Sequence, residues 1–496
     1  MNSLLNTDGY KIGHIRQYPP KTQFVYSNWT PRKSRIAGID KIVHFGLQHF
    51  IKKWLIEDFN KNFFHRPKLD ICIEYKRMMD NYLGKDTVDI THIEELWDLR
   101  YLPLRIKSLP EGSLVPMRCP AVSAINTDKR FFWLTNYIET MMSAELWGAT
   151  TSATIAREYR KLLDYWCNKT GGDPTFIQFQ GHDFSMRGMF GVEAAKLSGM
   201  GHLTSFVGTD TIPAIVELER YYGGNSDKEL IGCSIPASEH SCMCASGQED
   251  ELETFRRFIE DIYPSGMVSI VSDSWDLFRV LTEYLPKLKD KILVRDGKLV
   301  IRPDSGDPVG IICGWKDTGF TPIPSTIPST MTDAEYKGVI ELLWDTFGGT
   351  INEKGYKVLD SHIGAIYGDS ITLERADQIC KRLAVKGFCS TNIVFGIGSF
   401  TYQYNTRDTF GFAMKSTWCQ VDGQAREIFK DPITDDGTKK SLKGLIRIVK
   451  NIDGDFIALD QQTVEQEDDG FLQTVFLNGK MIKETTLNEI RNRLKK

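Results

Sequence analysis

The sequence contains few of the features that mark secreted or membrane proteins. Its ten cysteines are sparse and irregularly spaced over 496 residues, which does not fit a disulfide framework and indicates a reducing compartment. No run of about 18 apolar residues occurs. The N-terminus, MNSLLNTDGYKIGH, lacks the order of charged, apolar and small residues found in signal peptides. We therefore expect a cytoplasmic protein without a membrane span.

An excess of charge of one sign is also missing. The formal net charge is -4, with 41% hydrophobic and 25% charged residues, which describes a globular chain of two or three domains. This balance argues against a nucleic-acid binder. Two short basic clusters, at residues 31–35 (PRKSR) and 439–443 (KKSLK), fit either solvated loops or sites that hold a phosphate group.

The middle of the chain repeats one pattern. A short β-rich run leads into small, polar or acidic residues, and a segment with helical spacing of apolar residues follows, as expected for parallel βαβ units. The seven junctions are FIQFQ-GHDFSMRG (176–188), TSFV-GTDT (204–211), GCSI-PASEH (232–240), VSIV-SDS (268–274), LVIR-PDSG (299–306), IGAIY-GDS (363–370) and NIVF-GIGS (392–399).

This repetition predicts the α/β class, as an irregular (β/α) barrel over residues 151–404 that serves as the catalytic domain. A doubly wound open sheet is the alternative. An insert at 307–331, rich in Gly, Pro, Ser and Thr, is expected to be a surface excursion. Residues 1–150 and 405–496 do not share the repeat, and we expect them to form one discontinuous, mixed α+β domain.

In a barrel, the polar turns converge on one rim. Several carboxylates so close together need a cation, arginines or a polyhydroxyl ligand, while the glycine-rich turns at 368–370 and 396–399 expose backbone amides that suit a phosphate. The rim therefore predicts a phosphorylated sugar as ligand. Its charged residues are Asp183, Asp210, Glu239, Asp273, Asp304 and Asp369, with Arg187 and Arg302.

His240, at the end of SIPASEH and before SCMC, admits three interpretations. A metal corner with Cys242 and Cys244 needs further ligands, and no CxxC or HxxxH partner exists. A nucleophilic serine with His240 as its base needs an elbow such as GxSxG, which is absent. From the residues alone, a structural histidine bonded to a carboxylate is the default.

Seven ordered motifs nevertheless resemble one family over almost the whole chain. They are TDGYK (7–11), HDF (182–184) with Arg187-Gly188, GTDT (208–211), SIPASEH (234–240), IRPDSG (301–306), Gly368-Asp369 and TRD (406–408). Together they resemble the nicotinamide phosphoribosyltransferases of the type II nicotinate/nicotinamide phosphoribosyltransferase family. The resemblance implies a magnesium-dependent homodimer with active sites at the subunit interface. Each site would join nicotinamide to phosphoribosyl pyrophosphate, giving nicotinamide mononucleotide and pyrophosphate.

The resemblance also implies a nicotinamide pocket. Phe184 and the partner subunit's Tyr10 would sandwich the pyridine ring, and such an aromatic stack contributes about 0.5–1.5 kcal/mol beyond area burial. Asp210 would accept the amide N–H but repel the carboxylate of nicotinate. Arg187 and Ser269 would hold the amide oxygen and flank the ring. The same chemistry on nicotinic acid is the competing hypothesis, and it depends on Asp210.

The phosphoribosyl site is implied in the same way. Asp304 and Asp369 match the family's ribose and magnesium positions. The residues that match its phosphate contacts are Arg302, Gly368, Gly398, Ser399 and Arg407, and those that match its pyrophosphate contacts are Arg32, Lys415, Lys430 and Lys439. The chain departs from the family after Gly398, where Ser399 and Phe400 replace a run of glycines but keep the backbone amides.

For His240, the resemblance implies transient phosphorylation by ATP, a co-substrate whose hydrolysis improves substrate affinity, with Glu239 nearby to orient the ring. The pyridine nitrogen would attack C1 of the ribose as pyrophosphate leaves, so no general base is needed. A non-catalytic binding or signalling protein on the same fold is the remaining alternative. The charged rim argues against it.

Overall fold

The computed structural model describes residues 1–315, 331–430, 434 and 441–495. Lys439 and most of the predicted insert, residues 316–330, lie outside them. The strands are β1 (Thr22–Thr30), β2 (Lys41–Val43), β3 (Leu104–Ser108), β4 (Leu114–Pro116), β5 (Val122–Asn126), β6 (Gly181–Asp183), β7 (Gly208–Thr209), β8 (Val268–Val271), β9 (Leu299–Arg302), β10 (Gly349–Ile351), β11 (Lys357–Leu359), β12 (Ile363–Tyr367), β13 (Ile393–Ile397), β14 (Ala413–Val421), β15 (Gln424–Glu427), β16 (Leu445–Lys450), β17 (Phe456–Gln462), β18 (Gln473–Leu477) and β19 (Lys480–Met481).

Most of the helices lie between these strands. They are α1 (His14–Gln17), α2 (Leu47–Phe50), α3 (Lys68–Leu83), α4 (Thr91–Leu99), α5 (Leu134–Tyr137), α6 (Glu139–Thr170), α7 (Ile177–Gln180), α8 (Val192–His202), α9 (Ile212–Tyr222), α10 (His240–Cys244), α11 (Glu251–Arg257), α12 (Leu277–Arg279), α13 (Leu285–Leu293), α14 (Pro308–Cys313), α15 (Asp333–Lys337), α16 (Val339–Phe347), α17 (Leu373–Val385), α18 (Ser399–Tyr402), α19 (Val464–Asp468) and α20 (Leu487–Leu494). Among the described residues, none of the helices combines the length and apolar character that crossing a membrane requires.

The contacts divide the described chain into two compact units. The first unit comprises residues 1–154, 216–225 and 405–496, and the second comprises residues 155–215 and 226–404. The first unit thus contains both chain ends, together with a ten-residue segment from the middle of the sequence.

The second unit is built on a six-stranded parallel sheet with the order β7-β6-β13-β12-β9-β8. Residues 233–238 bond to both of its edges. At one edge Thr209 N donates to Cys233 O over 2.9 Å, and at the other Ser269 N donates to Pro236 O over 2.8 Å. Because Pro236 has no N–H, this segment forms single bridges and not a continuous ladder.

Local sequence explains these elements well. All four residues of β8, VSIV, are buried, as expected for a parallel strand covered on both faces. Helix α17 starts where the Thr372 hydroxyl accepts a hydrogen bond from Arg375 N. It then buries Ala376, Ile379 and Leu383 at helical spacing. The predicted strands at 299–302 and 363–367 are β9 and β12 with the predicted bounds.

Three predicted strands are wrong in detail. Residues 232–235 (GCSI) form no strand, and Cys233 makes only an isolated bridge with Gly208. Residues 177–180 (IQFQ) form helix α7, and the strand begins only at Gly181. Gln180 is fully buried, and its side-chain amide donates to Ser390 O and Ile393 O, which fixes this turn in a helical conformation. Residues 204–207 (TSFV) are likewise turn and coil, and the strand is limited to β7.

The first unit is built on a seven-stranded antiparallel sheet with the order β15-β14-β1-β5-β3-β18-β19. Strands from both chain ends pair in it: β1, β5 and β3 from the N-terminal part lie at its centre, with β14 and β15 on one side and β18 and β19 on the other. Its core joins the same two regions, and Trp29 stacks on Phe412 with ring centroids 4.4 Å apart. The predicted α/β class and the second sheet made from both chain ends are therefore confirmed, and the parallel sheet is a half-barrel.

Candidate active site

The carboxyl ends of the parallel strands share one edge of the second unit's sheet, so the residues that follow them share that edge too. This places together side chains separated by more than 200 residues in sequence. The residues directly after the strands are Phe184 after β6, Asp210 after β7, Ser272 and Asp273 after β8, Pro303 and Asp304 after β9, Gly368 and Asp369 after β12, and Gly398 after β13.

The Asp210 carboxylate is hydrogen-bonded by two polar side chains, and we name this group of Asp210, His182 and Ser234 the Asp210 corner. His182 Nε2 donates to Asp210 Oδ1 over 2.9 Å, and the Ser234 hydroxyl donates to the same oxygen over 2.7 Å. Burial alone would raise the pKa of Asp210, but the bond and charge of His182, the Ser234 bond and the charge of Arg302 lower it overall. Asp210 is thus an ionised acceptor, and its other oxygen, Oδ2, accepts neither of these bonds.

Phe184 lies beside this corner, against glycines of two neighbouring strand ends. A Cβ atom at Gly396 would lie 2.5 Å from Phe184 Cδ2, and one at Gly368 would lie 3.5 Å from Phe184 Cε2. The ring is 4.8 Å from that of His182, and the Arg302 guanidinium is 5.8 Å from its centroid. Only glycine at 396 leaves room for the ring in this position.

Three carboxylates, which we name the acidic cluster, lie near one another: Asp273, Asp304 and Asp369. Burial raises the pKa of Asp304, and the charges of Asp273 and Asp369 raise it further, while Arg302 and His240 oppose the rise. Asp304 N donates to Asp273 Oδ2 over 2.9 Å, whereas the buried Asp273 Oδ1 accepts no hydrogen bond and has only a longer ion-pair contact, with His240. The cluster carries negative charge that the protein compensates only in part.

The acidic cluster fits a magnesium ion only with help from a ligand. Within the described ranges, no three His, Cys, Asp or Glu side chains are grouped so as to hold a metal by themselves. Mg²⁺ in proteins commonly uses one or two carboxylates plus phosphate oxygens and water. Asp304 is half-buried and Asp369 is exposed, so these two carboxylates suit that kind of shared site.

His240 faces Asp273. Its Nε2 lies 3.4 Å from Asp273 Oδ1, and the imidazole is 45% exposed while the Asp273 side chain is 6% exposed. Glu239, which the sequence analysis expects to orient the ring, accepts a hydrogen bond from the Ser241 hydroxyl. The carboxylate that pairs with the His240 ring in the structure is therefore that of Asp273.

Further residues of the predicted site surround this arrangement. The hydroxyl of Ser269 is buried without a hydrogen-bond partner, as is Nε of Arg302, so a ligand could satisfy both groups. Arg187 is exposed. A Cβ at Gly398 would meet nothing within 4 Å, so this turn is open, and the Phe400 ring packs on Tyr404 with centroids 4.8 Å apart. The bulk that replaces the family's glycines thus lies against another aromatic side chain.

The remaining predicted residues belong to the first unit. Lys415 is half-buried, and burial lowers its pKa, with further lowering by the positive charges of Arg32, Lys430 and Arg407 against the opposing Glu139. We name Arg32, Arg407, Lys415 and Lys430 the basic cluster. Arg32 Nε donates to Gly411 O over 2.7 Å, which fixes its position. Like charges in proximity create a site for a polyanion.

Tyr10 also lies in the first unit, with 62% of its surface exposed. The Lys11 ammonium is 5.1 Å from its ring centroid, and the His14 ring is 5.3 Å away. An exposed, flat ring of this kind can stack on a ligand or a partner.

Three residues of the site make contacts that the sequence did not predict. His182 and Ser234, although part of the quoted motifs, fix Asp210, and Asp273 pairs with His240. Their common signal was position, because each stands at or just beyond the end of a predicted strand. Asp183, in contrast, is fully buried, and its carboxylate accepts bonds from Ser185 and Thr209, so it stabilises its own turn.

Two family models match the chain. The nicotinate phosphoribosyltransferase (NAPRTase) family matches residues 179–480, and the N-terminal domain of nicotinamide phosphoribosyltransferase matches residues 2–71. The nicotinamide phosphoribosyltransferase of Acinetobacter baylyi is 54% identical over 100% of this chain and 97% of its own. That of Mycoplasma pneumoniae is 38% identical (90% and 95%), and that of Xanthomonas campestris 32% (99% and 97%).

Two solved structures share the fold. Nicotinate-nucleotide pyrophosphorylase from Pyrococcus furiosus superposes with a TM-score of 0.57 at 14% identity, covering 99% of this chain and 95% of its own. Human nicotinic acid phosphoribosyltransferase does so with a TM-score of 0.54 at 14% identity (99% and 92%). With relatives of 32–54% identity that are covered over at least 90% of both chains, the chain belongs to the nicotinamide phosphoribosyltransferases within the nicotinate phosphoribosyltransferase family.

Proposed function

We propose that this protein transfers the phosphoribosyl group of phosphoribosyl pyrophosphate to nicotinamide, forming nicotinamide mononucleotide and pyrophosphate in NAD salvage. One observation carries the proposal. Arg302 acts electrostatically on both Asp210 and Asp304 and lies near the Phe184 ring, so an acceptor for an amide, an aromatic surface and ribose-type carboxylates adjoin. A flat heteroaromatic amide beside a phosphosugar matches this combination.

Nicotinamide binds at the Asp210 corner. His182 and Ser234 occupy Asp210 Oδ1 and leave Oδ2 to accept the amide N–H. A carboxylate in place of the amide would meet like charge, worth about 1–4 kcal/mol at 4 Å for plausible dielectric constants. The unsatisfied hydroxyl of Ser269 and the exposed Arg187 serve the amide oxygen and the ring edge, and Phe184 stacks on one face of the pyridine.

The reaction itself needs no base. The pyridine nitrogen carries a lone pair and no proton, so it attacks C1 of the ribose as the bond to pyrophosphate breaks. Positive charge builds on the sugar, where Asp304 and Asp369 stabilise it. The phosphate contacts are assigned to Arg302, Gly368, Gly398, Ser399 and Arg407, and the open turn at Gly398 supports the assignment of that turn.

Magnesium, when bound with the substrate, would neutralise charge on the leaving pyrophosphate. Asp304 and Asp369 would hold it together with diphosphate oxygens. Pyrophosphate is assigned to Arg32, Lys415 and Lys430 of the basic cluster, with Lys439, because the burial and neighbouring positive charges that lower the pKa of Lys415 favour a polyanion. We propose a homodimer with interfacial active sites, in which the partner subunit's Tyr10 covers the second face of the pyridine.

ATP acts as a co-substrate through His240. Asp273, beside Nε2, keeps the proton on that nitrogen, so that Nδ1 has a free lone pair. Nδ1 attacks the γ-phosphorus of ATP, the bond to the β-phosphate oxygen breaks and ADP leaves. Water later hydrolyses the phosphohistidine. A phosphoryl group on the half-exposed ring adds negative charge next to the substrate site.

Two points of organisation complete the proposal. We propose that residues 233–238, by bonding to both sheet edges, close the parallel sheet into the predicted irregular barrel, which is the catalytic domain. The ten cysteines are all free thiols, which supports a reducing, cytoplasmic location.

The test is product formation by the purified protein. Nicotinamide, phosphoribosyl pyrophosphate and Mg²⁺ are supplied with and without ATP, and nicotinamide mononucleotide and pyrophosphate are measured by chromatography and mass spectrometry. We expect both products in equal amounts, with stimulation by ATP that His240→Ala abolishes. Failure to form nucleotide from nicotinamide would overturn the proposal: nucleotide from nicotinate alone would favour the acid-specific enzyme, and no nucleotide at all a binding protein.

A further inference from the structure

A buried histidine joins two parts of the second unit that the proposed function uses separately. His202, the last residue of α8, is fully buried. Its Nε2 lies 3.0 Å from Gly208 O, and its Nδ1 lies 2.7 Å from the hydroxyl oxygen of Tyr402. Its ring stacks on Phe206, with centroids 5.1 Å apart. The imidazole is therefore held on both edges and on a face.

The protonation state of this ring follows from its partners. Burial lowers the pKa of His202 to about 4, so the ring is neutral at physiological pH. A backbone carbonyl can only accept, so Nε2 carries the proton and donates to Gly208 O. Nδ1 then accepts from the Tyr402 hydroxyl. One tautomer satisfies both nitrogens. We name this chain of hydrogen bonds, from Tyr402 through His202 to Gly208, the link.

The two ends of the link lie next to different parts of the proposed site. Gly208 begins β7, two residues before Asp210, which is assigned to the amide of nicotinamide. Tyr402 ends the short helix α18, which starts at Ser399 directly after Gly398, both assigned to the phosphate. A shift of either segment changes the geometry of the hydrogen bonds to His202.

A second tie connects α18 to the loop of Asp369. The Thr401 hydroxyl donates to Ile371 O over 2.7 Å, and the hydroxyl of the buried Tyr159 lies 3.1 Å from the Thr401 hydroxyl oxygen and 3.2 Å from Ile371 O. Helix α18 is thus fixed on two sides by side chains that themselves have no predicted contact with substrate.

We infer that His202 and Tyr402 are positioning residues that set the distance between the nicotinamide half and the phosphate half of the active site. The inference rests on the proposed function, because the two halves are assigned there. Neither residue touches substrate in this proposal. They act by holding Asp210 and the Gly398–Ser399 turn in register, so their loss weakens binding at both places at once.

Tyr402→Phe is the sharpest test, because it removes one hydroxyl from a buried side chain and leaves the ring. The matched control is Tyr284→Phe, the same change at another buried tyrosine of the second unit, outside the link. Calorimetry with nicotinamide and, separately, with ribose 5-phosphate as probes measures the two halves without turnover. We expect Tyr402→Phe to weaken both probes at least fivefold, and Tyr284→Phe to leave both within twofold of the parent.

A merely structural role would give a different result. Tyr402→Phe would then lower the melting temperature but leave both dissociation constants unchanged, and that outcome overturns the inference. Weakening of only one probe overturns it as well. Because binding is measured directly, the inference can survive even if the parent makes no nicotinamide mononucleotide, so failure of the proposed function is seen separately.

A measurement on the parent decides the matter if Tyr402→Phe does not fold. In protein labelled with ¹⁵N-histidine, His202 should appear as a neutral ring protonated at Nε2 between pH 6 and 8. Its resonance is identified by its absence from His202→Gln or, if that variant is unfolded, as the neutral, pH-constant ring that remains after His44→Gln and His92→Gln, since burial lowers the pKa of those two histidines to about 3 and about 4. This resonance should move on addition of either probe. A resonance that responds to neither probe, or to only one, contradicts the link.

Discussion

The acidic cluster of the second unit and the basic cluster of the first unit are built on opposite electrostatic principles. In the acidic cluster, burial and neighbouring carboxylates raise the pKa of Asp304. In the basic cluster, burial and neighbouring cations lower the pKa of Lys415. Each cluster therefore holds charge of one sign at a cost in free energy, which a ligand of the opposite sign would relieve.

The difference between the clusters indicates their ligands. Carboxylates beside an arginine suit ribose hydroxyls, a magnesium ion and the positive charge that builds on the sugar. Two arginines and two lysines suit a diphosphate. A sugar that becomes cationic and a leaving group that becomes anionic are the two products of the same bond cleavage. The following predictions separate the two clusters, beginning with the largest effect.

Loss of Asp304 should have the largest effect. Asp304→Ala removes the half-buried carboxylate that we propose stabilises the developing charge, and the loss of such a preorganised group costs on the order of 10²–10³-fold in kcat. Circular dichroism and melting should show a folded protein. Asp345→Ala, a surface carboxylate paired with Lys337 in the same unit, is the control and should retain full activity. Near-normal turnover of Asp304→Ala would exclude the assigned role.

Loss of Lys415 should affect pyrophosphate selectively. A charge-assisted hydrogen bond contributes about 1.5–3 kcal/mol, so Lys415→Met should weaken pyrophosphate binding about 10- to 100-fold in calorimetry and leave nicotinamide binding unchanged. Lys21→Met, at an exposed lysine paired with Asp422 in the same unit, is the control. If both variants bind pyrophosphate like the parent, the basic cluster has another ligand.

Two neighbouring glycines should respond differently to the same change. Gly396→Ala places a methyl group 2.5 Å from the Phe184 ring, whereas Gly398→Ala meets nothing within 4 Å and keeps its backbone amide. Overpacking of this kind costs about 1–3 kcal/mol. We expect Gly396→Ala to raise the KM for nicotinamide about 5- to 100-fold and Gly398→Ala to change it less than about threefold. Equal effects would argue against Phe184 as the stacking surface.

The smallest effect should be a shift in pH dependence. The proposed mechanism requires Asp304 to be ionised, so activity should be lost as pH falls through its raised pKa. Asp273→Asn can keep the bond to Asp304 N but removes a charge that raises this pKa. The acid limb of ATP-independent synthesis should therefore move to lower pH, and stimulation by ATP should be lost because His240 loses its partner. An acid limb that stays in place would show that Asp273 does not act on Asp304.

Linkage gives the same variant a stability readout. When folding raises the pKa of a carboxylate, the folded state binds the proton more tightly than the unfolded state does. The free energy of unfolding then decreases as pH rises from the pKa of the unfolded state through the pKa of the folded state. Asp273→Asn should reduce this loss. Chemical unfolding at pH 4 and pH 7 measures it.

Much of the fold followed from local patterns. Strands β8, β9 and β12 have the predicted bounds because buried apolar runs followed by polar turns are strong signals. The helical turn at 177–180 did not follow, because the hydrogen bonds of Gln180 to Ser390 and Ile393 are made with residues more than 200 positions away. The sequence of a four-residue segment does not predict such distant partners.

The candidate site, too, could be predicted from the sequence only in part. The sequence placed Asp210, Asp304 and Asp369 at strand ends, and topology then put them on one edge. The sequence could not predict which carboxylate lies beside His240. Glu239 is its neighbour in the chain, but Asp273 is the carboxylate close to its ring in the structure. The roles of His182 and His202 likewise depend on the positions of ring nitrogens, which only coordinates provide.

The most direct test of the account is the ratio of kcat/KM for nicotinamide to that for nicotinate, measured for the parent and for Asp210→Asn. The parent should prefer the amide by about 5- to 1,000-fold, as expected for a charge difference of about 1–4 kcal/mol. Asp210→Asn should narrow the ratio at least tenfold or reverse it. A parent that prefers nicotinate, or a ratio that Asp210→Asn leaves unchanged, would contradict the account.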